Sequence, residues 1–178
     1  APRAPARHHP PVERAAEHRQ KPQAAVRVAL ALSGGLLSTP CWSDCATSNG
    51  TDYSCTGVTT GTQTLSGATL NVSADSSFQA TANPALVVST NSGNLNVNLA
   101  AGSALNTSSP FTSGGLSATT TAGTGDINLT LGGNIFSSGL QGVYTDMLSS
   151  GQLNITQLAG STITGQAALR ANSSFGGL

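Results

Sequence analysis

From Leu70 onward the chain repeatedly alternates an aliphatic residue with a small polar one. Leu70-Asn71-Val72, Leu95-Asn96-Val97-Asn98-Leu99, Ile127-Asn128-Leu129-Thr130-Leu131 and Leu153-Asn154-Ile155-Thr156 share this pattern. Period-2 alternation is the signature of a strand with one face buried and the other in water. The phrase that opens three of these strands also recurs, as Gly93-Asn94-Leu95, Gly125-Asp126-Ile127 and Gly151-Gln152-Leu153. The aliphatic starts lie 25, 32 and 26 residues apart.

Two further apolar points recur within each interval. One follows a turn, at Ala101–Leu105, Gly132–Ile135 and Ala159–Ile163; the other precedes the next start, at Leu86-Val87-Val88, Leu116-Ser117-Ala118, Val143-Tyr144-Thr145 and Leu169-Arg170-Ala171. Each unit therefore holds about three short strands separated by Gly, Ser and Asn turns. A unit of this size cannot bury its own apolar face, and stacking on the next one makes a continuous core. Helical repeats are excluded because Gly and β-branched residues abound and no 3.6-residue apolar stripe is present. The L-x-x-L-x-L phrase of leucine-rich repeats is also missing. A parallel β-helix remains, and four stacked copies at about 4.8 Å each would form a rod about 20 Å long. Its lower end would expose unpaired strand edges, so the natural chain is expected to continue past Leu178.

Charge divides the chain. Arg3, Arg7, Arg14, Arg19, Lys21, Arg27 and all three histidines, His8, His9 and His18, precede residue 28. From residue 44 onward, Arg170 stands against Asp44, Asp52, Asp75, Asp126 and Asp146, a net charge of −4. No basic stripe is left to release counterions from a phosphate backbone, so no nucleic-acid partner is expected. Residues 1–25 carry almost no large apolar side chain and are expected to be disordered. Val26 to Leu37 is an apolar run of signal-peptide length, well short of the ~20 residues of a membrane-spanning helix. Small residues at Cys41 and Ser43 place the cleavage point between Ser43 and Asp44. A short buried helix is the alternative, but the polar sequence on both sides offers it nothing to pack against.

Cleavage would also resolve an odd thiol count. With Cys41 removed, Cys45 and Cys55 flank the turn-forming Ser48-Asn49-Gly50-Thr51-Asp52 and can close a disulfide, worth about 2 to 3 kcal/mol for so short a loop. The competing reading, a metal site, lacks ligands: no histidine follows residue 18, and two thiolates do not complete a structural zinc shell. The expected organisation is a leader extension at 1–25, signal h- and c-regions at 26–43, an N-terminal disulfide-closed segment at 44–63 and β-helix repeats at 64–178.

The succession Gly114-Gly115-Leu116-Ser117-Ala118, Gly123-Thr124-Gly125-Asp126-Ile127-Asn128-Leu129, Gly133-Asn134-Ile135 and Gly139-Leu140-Gln141-Gly142-Val143-Tyr144-Thr145 resembles the passenger coils of bacterial autotransporters. Those passengers alternate a G-x-G-[DN]-[IV]-x-[VIL] strand with a G-x-G-[IV]-Y-A strand. Asp44-Cys45 with Cys55-Thr56-Gly57 is similar to their mature start. The resemblance covers roughly residues 44–178. It implies an all-β fold, a right-handed parallel β-helix exported from a Gram-negative bacterium by type V secretion. It also implies a C-terminal outer-membrane translocator barrel as partner and a place on the cell surface, in the outer membrane or in the medium. This chain contains no alternating, aromatic-girdled barrel strand.

The chemistry expected is structural or adhesive, toward a host or neighbouring-cell surface. With no histidine after residue 18 and no lysine after residue 21, the commonest general bases are missing, and neither cofactor nor metal is expected. Asp126 and Asp146 are the one carboxylate pair worth weighing for acid/base work, and Asp126 holds a turn position that Asn94 and Gln152 occupy in other copies. The rivals are a β-helix polysaccharide-degrading enzyme and a filamentous-haemagglutinin-like exoprotein exported through a separate barrel. The N-x-[ST] triplets at Asn49, Asn71, Asn106, Asn128, Asn154 and Asn172 are read as products of composition. Trp42, Phe78, Phe111, Phe136, Tyr144 and Phe175 are read as core or turn packing in preference to a sugar-stacking face.

Alternation assigns Leu95, Val97, Ile127, Leu129, Leu153 and Ile155 inward and Asn96, Asn128 and Asn154 outward. Leu129→Asp should therefore cost about 4 kcal/mol through lost packing and a buried carboxylate, and Asn128→Asp little. Denaturant titration of both variants measures the difference. Equal damage from the two would mean either that Asn128 belongs to a buried amide ladder or that the register is one residue out.

Overall fold

In the computed structural model the described residues are 44–107, 114–139 and 141–174. Residues 1–43, which hold the expected leader, signal segment and cleavage residue Ser43, lie outside them, as do Phe111 and Phe175.

Every regular element among the described residues is a strand. β1 (Cys45–Thr47) turns back through Ser48–Thr51 into β2 (Asp52–Cys55), its antiparallel partner. The chain then winds in rungs of three. β2 is followed by β3 (Val58–Thr59) and β4 (Gln63–Gly67). The next rungs are β5 (Leu70–Ala74), β6 (Gln79–Ala80) and β7 (Leu86–Thr90), then β8 (Leu95–Leu99), β9 (Ala104–Thr107) and β10 (Leu116–Thr120). They are followed by β11 (Ile127–Leu131), β12 (Asn134–Ser137) and β13 (Gln141–Met147), and finally by β14 (Leu153–Gln157), β15 (Ile163–Thr164) and β16 (Ala167–Ser173).

Corresponding strands of successive rungs pair in parallel and make three sheets, ordered β1-β2-β5-β8-β11-β14, β4-β7-β10-β13-β16 and β3-β6-β9-β12-β15. This is a parallel β-helix, a solenoid of about four turns. The repeat that alternation predicts is the repeat that stacks. Leu70, Leu95, Ile127 and Leu153 form one column, and Leu86, Leu116, Val143 and Leu169 another. Leu105, Ile135 and Ile163 form the third.

The core runs along the axis where the three sheets face one another. Leu70, Leu95, Leu99, Leu105, Leu116, Ile127, Leu129, Leu131 and Ile135 are fully or almost fully buried. Burying an aliphatic side chain of this size is worth about 1.5 to 3 kcal/mol, so these columns supply the main cohesion between rungs. Leu153 and Ile155 also point inward but are half-buried, because β14 is the outermost strand of its sheet. The first rung carries no aliphatic alternation. Tyr53 and Cys55 take the inward places above Val72 and Ala74, so segment 44–63 already contributes β2 and β3 to the stack.

The aromatic residues divide. Phe78 is fully buried in the core, whereas Phe136 stands 45 % exposed on the outer face of β12, beside Asn106 and Thr164 in neighbouring strands. The expectation of core or turn packing therefore fails at Phe136. The period-2 phase of Asn134-Ile135-Phe136 turns Ile135 inward, and Phe136 must then face out.

The recurring glycine before each long strand has a steric cause. A Cβ on Gly125 would collide with the carbonyl oxygen of Gly93 in the rung before, and one on Gly151 with the carbonyl oxygen of Gly125. Backbone carbonyls cannot swing aside as a flexible side chain would, so the coils can approach this closely at the corner because no side chain intervenes. Gly125→Ala should destabilise the chain by about 1 to 3 kcal/mol through forced backbone displacement. A urea titration reads this cost, and a variant as stable as the wild type would show that the corner is not closely packed.

Candidate functional site

The outer face of the first sheet carries the most regular chemistry in the molecule. Parallel in-register pairing sets Asp52, Asn71, Asn96, Asn128 and Asn154 in one column across five strands. At the coil spacing of about 4.8 Å, stacked asparagine side chains are within hydrogen-bonding reach of one another. They form a continuous ladder. Asn154 Nδ2 donates to Asn128 Oδ1 at 2.9 Å, Asn128 Nδ2 to Asn96 Oδ1 at 2.9 Å and Asn96 Nδ2 to Asn71 Oδ1 at 2.8 Å. Asn71 Nδ2 closes the series by donating to Asp52 Oδ1 at 2.6 Å.

Every donor in this ladder points toward the N-terminal rung. The amide dipoles therefore add head to tail, with the positive end at Asn71, where a carboxylate receives it. Asp52 is held in place by its hairpin. Asn49 Oδ1 accepts the backbone N–H groups of Thr51 and Asp52, and Asn49 Nδ2 donates to the second oxygen of Asp52. Gly50, at φ +77°, donates its N–H to Thr47 Oγ1 at 2.8 Å and lets the turn close. A disulfide joins Cys45 to Cys55, which face each other directly across β1 and β2. Asp44 Oδ1 accepts the N–H of Cys45. Hydrogen bonding by Asn71, and next by Asn49, holds the Asp52 carboxyl below the usual aspartate range.

Two residues further along each strand runs a second outward column, Ser54, Ser73, Asn98, Thr130 and Thr156. Within the described residues the side chains of Ser73, Asn98 and Thr130 make no hydrogen bond. Between the columns lies an open groove of about 400 Å³, lined by Asp52, Asn71, Asn96, Asn98, Asn128 and Thr130 among others. Among the described residues Asp52 is its one charged lining residue.

Three of the triplets, Asn71-Val72-Ser73, Asn128-Leu129-Thr130 and Asn154-Ile155-Thr156, span the two columns, with Asn in the first and the hydroxyl in the second, whereas β8 has Asn96-Val97-Asn98 at the same two positions. The ladder changes the cost assigned to Asn128→Asp. Asn128 does face outward, but the substitution removes a donor to Asn96 and places a carboxylate against its oxygen, so the cost rises to about 1 to 2 kcal/mol, still well below that of Leu129→Asp.

Asp126 lies in the turn before β11. Its backbone N–H donates to Asn94 Oδ1, and its own Oδ1 accepts the N–H of Gln152, which joins the turn positions of three rungs. Asp146 belongs to the outer face of β13, in register with Thr119 and Asn172. The two carboxylates thus occupy different strips of the surface. Among the described residues no three His, Cys, Asp or Glu side chains converge.

Because the Asp52 pKa is lowered on folding, the stability it contributes is present above the ordinary aspartate value of 3.8 and is lost as pH falls through the folded value. Asp75, held low by the Ser77 hydroxyl and backbone N–H, acts in the same direction. The melting temperature should therefore drop as pH is lowered below 3.8, and Asp52→Asn should make that drop shallower without abolishing it. Thermal melts at stepped pH decide the point, and an unchanged slope in Asp52→Asn would contradict the capping role.

Comparison of the chain with protein-family models, with curated proteins and with solved structures finds no match.

Proposed function

We propose that this chain is an exported surface module with a structural and adhesive role, the passenger region of a bacterial autotransporter. The observation that carries the reading is the outer face of the first sheet. A hydrogen-bonded column of asparagines and a parallel column of neutral polar side chains are repeated rung after rung on a solenoid, and a repeated display of this kind suits contact with an extended surface better than reaction at one point. The carboxylates bear on the same choice. Among the described residues Asp44 accepts the N–H of Cys45, Asp52 ends the ladder, Asp75 and Asp126 hold turns, and Asp146 lies on the outer face of another sheet, so each has its own place in the fold.

Export accounts for the disulfide, which forms and persists in oxidising compartments. On this reading the partner is an outer-membrane translocator barrel, and the target is a host or neighbouring-cell surface.

Production of the full chain in a Gram-negative host tests the proposal in two steps. N-terminal sequencing of the exported protein should begin at Asp44, with Cys45 and Cys55 disulfide-bonded by mass spectrometry. A chain retained in the cytoplasm with residues 1–43 intact would refute export. Beads coated with the exported chain should then adhere to bacterial or epithelial cell layers more than beads coated with the heat-denatured chain, and equal adherence would refute the adhesive role.

A further inference from the structure

We infer that the groove on the outer face of the first sheet binds a neutral, hydroxyl-rich polymer, a polysaccharide strand lying along the solenoid axis across the rungs. The inference rests on the adhesive reading above and gives it a ligand class.

A primary amide has two N–H donors and an oxygen with two lone pairs. Each of Asn71, Asn96 and Asn128 gives one donor to the rung before it and one lone pair to the rung after it. The N–H that lies opposite the C=O is the one able to propagate such a ladder. What remains on each residue is the other N–H and the outer lone pair, side by side at the tip of the side chain and facing away from the sheet. The ladder therefore serves as a fixed frame that presents the same donor and acceptor edge at Asn71, Asn96 and Asn128, about 4.8 Å apart. About 7 Å away across the groove stand the side chains of Ser73, Asn98 and Thr130, which have no partner within the described residues.

A ligand that satisfies this surface must offer paired donors and acceptors at short, regular intervals along a line. Vicinal hydroxyls on successive sugar rings do so, since each hydroxyl both donates and accepts. Other polymers fit less well. Among the described residues the groove has one charged lining residue, an aspartate, which repels a polyanion. Its rim presents polar side chains rather than a free strand edge, so an extended peptide has no backbone ladder to join. The amide edges are complementary to those of a second copy, but two such grooves placed face to face would leave a space between them, whereas a slender strand fills one. Because the ladder side chains are already fixed by one another, little rotamer entropy remains to be lost on binding.

The test uses the exported full chain, with insoluble cellulose and insoluble chitin as probes and heparin beads as the charged counterpart. The chain should co-sediment with at least one of the two neutral polymers, and raised salt should leave that binding unchanged, because no ion pair contributes. The double variant Asn98→Ala/Thr130→Val alters exposed or half-exposed positions and should melt like the wild type. It should bind about tenfold more weakly, as expected for the loss of two or three hydrogen bonds. Binding that salt abolishes, or that the double variant retains in full, would overturn the inference. Absence of binding to both neutral polymers would overturn it as well, and a dimer in solution that the double variant dissolves would assign the face to a second copy instead. Beads that adhere to cells while the chain ignores both polymers would leave the adhesive role standing and remove this ligand class.

Discussion

Parallel pairing of each coil with the coil before it, residue on equivalent residue, is the constraint from which the rest of this molecule follows. Once the backbones of Leu95–Leu99 and Ile127–Leu131 pair in register, every side chain has its counterpart in the next rung as its nearest neighbour. An aliphatic position then becomes a continuous apolar column. An asparagine position becomes a chain of amide hydrogen bonds, and a glycine position becomes a corner at which carbonyl and α-carbon touch. The same pairing that satisfies the backbone thus fixes the core, the outer face and the closeness of the coils together.

The stack is polar along its axis. Amide donors of the ladder all face the N-terminal rung, and the hairpin there meets them with a carboxylate tied by Asn49 and backed by the disulfide. β1 runs antiparallel to β2, so it covers the edge that β2 would otherwise present. The hairpin therefore closes the first sheet in two ways at once, by pairing its backbone edge and by supplying the charge that the aligned amide dipoles favour.

Much of this was legible in the residues, and the parts that were not share a physical reason. Strands β5, β8, β11 and β14 announce themselves because their inward residues are Leu, Val and Ile, and the recurring Leu-Val-Val, Leu-Ser-Ala and Val-Tyr-Thr points fall in one register as the repeat requires. β2 does not announce itself, since Tyr53 and Cys55 fill its inward places, and neither does β3 or β6, where two residues with Thr59 or Ala80 inward leave no period to detect. The ladder was hidden for a different cause. Asn71, Asn96, Asn128 and Asn154 each read as an ordinary solvent-facing residue, and only the register between rungs turns four separate amides into one hydrogen-bonded series. The column of Ser73, Asn98 and Thr130 beside it is likewise defined only by the register between rungs.

The most direct measurement of this account is a cysteine cross-link between neighbouring rungs of the first sheet. Asn98 and Thr130 are facing partners on the outer face, whereas Leu129, one residue away, points into the core. Under mild oxidation the pair Asn98→Cys/Thr130→Cys should form a disulfide in the folded chain, and Asn98→Cys/Leu129→Cys should not. Equal or preferential linking of the second pair would mean that the rungs pair one residue out of step, and the amide ladder and the inward columns would both fall with it.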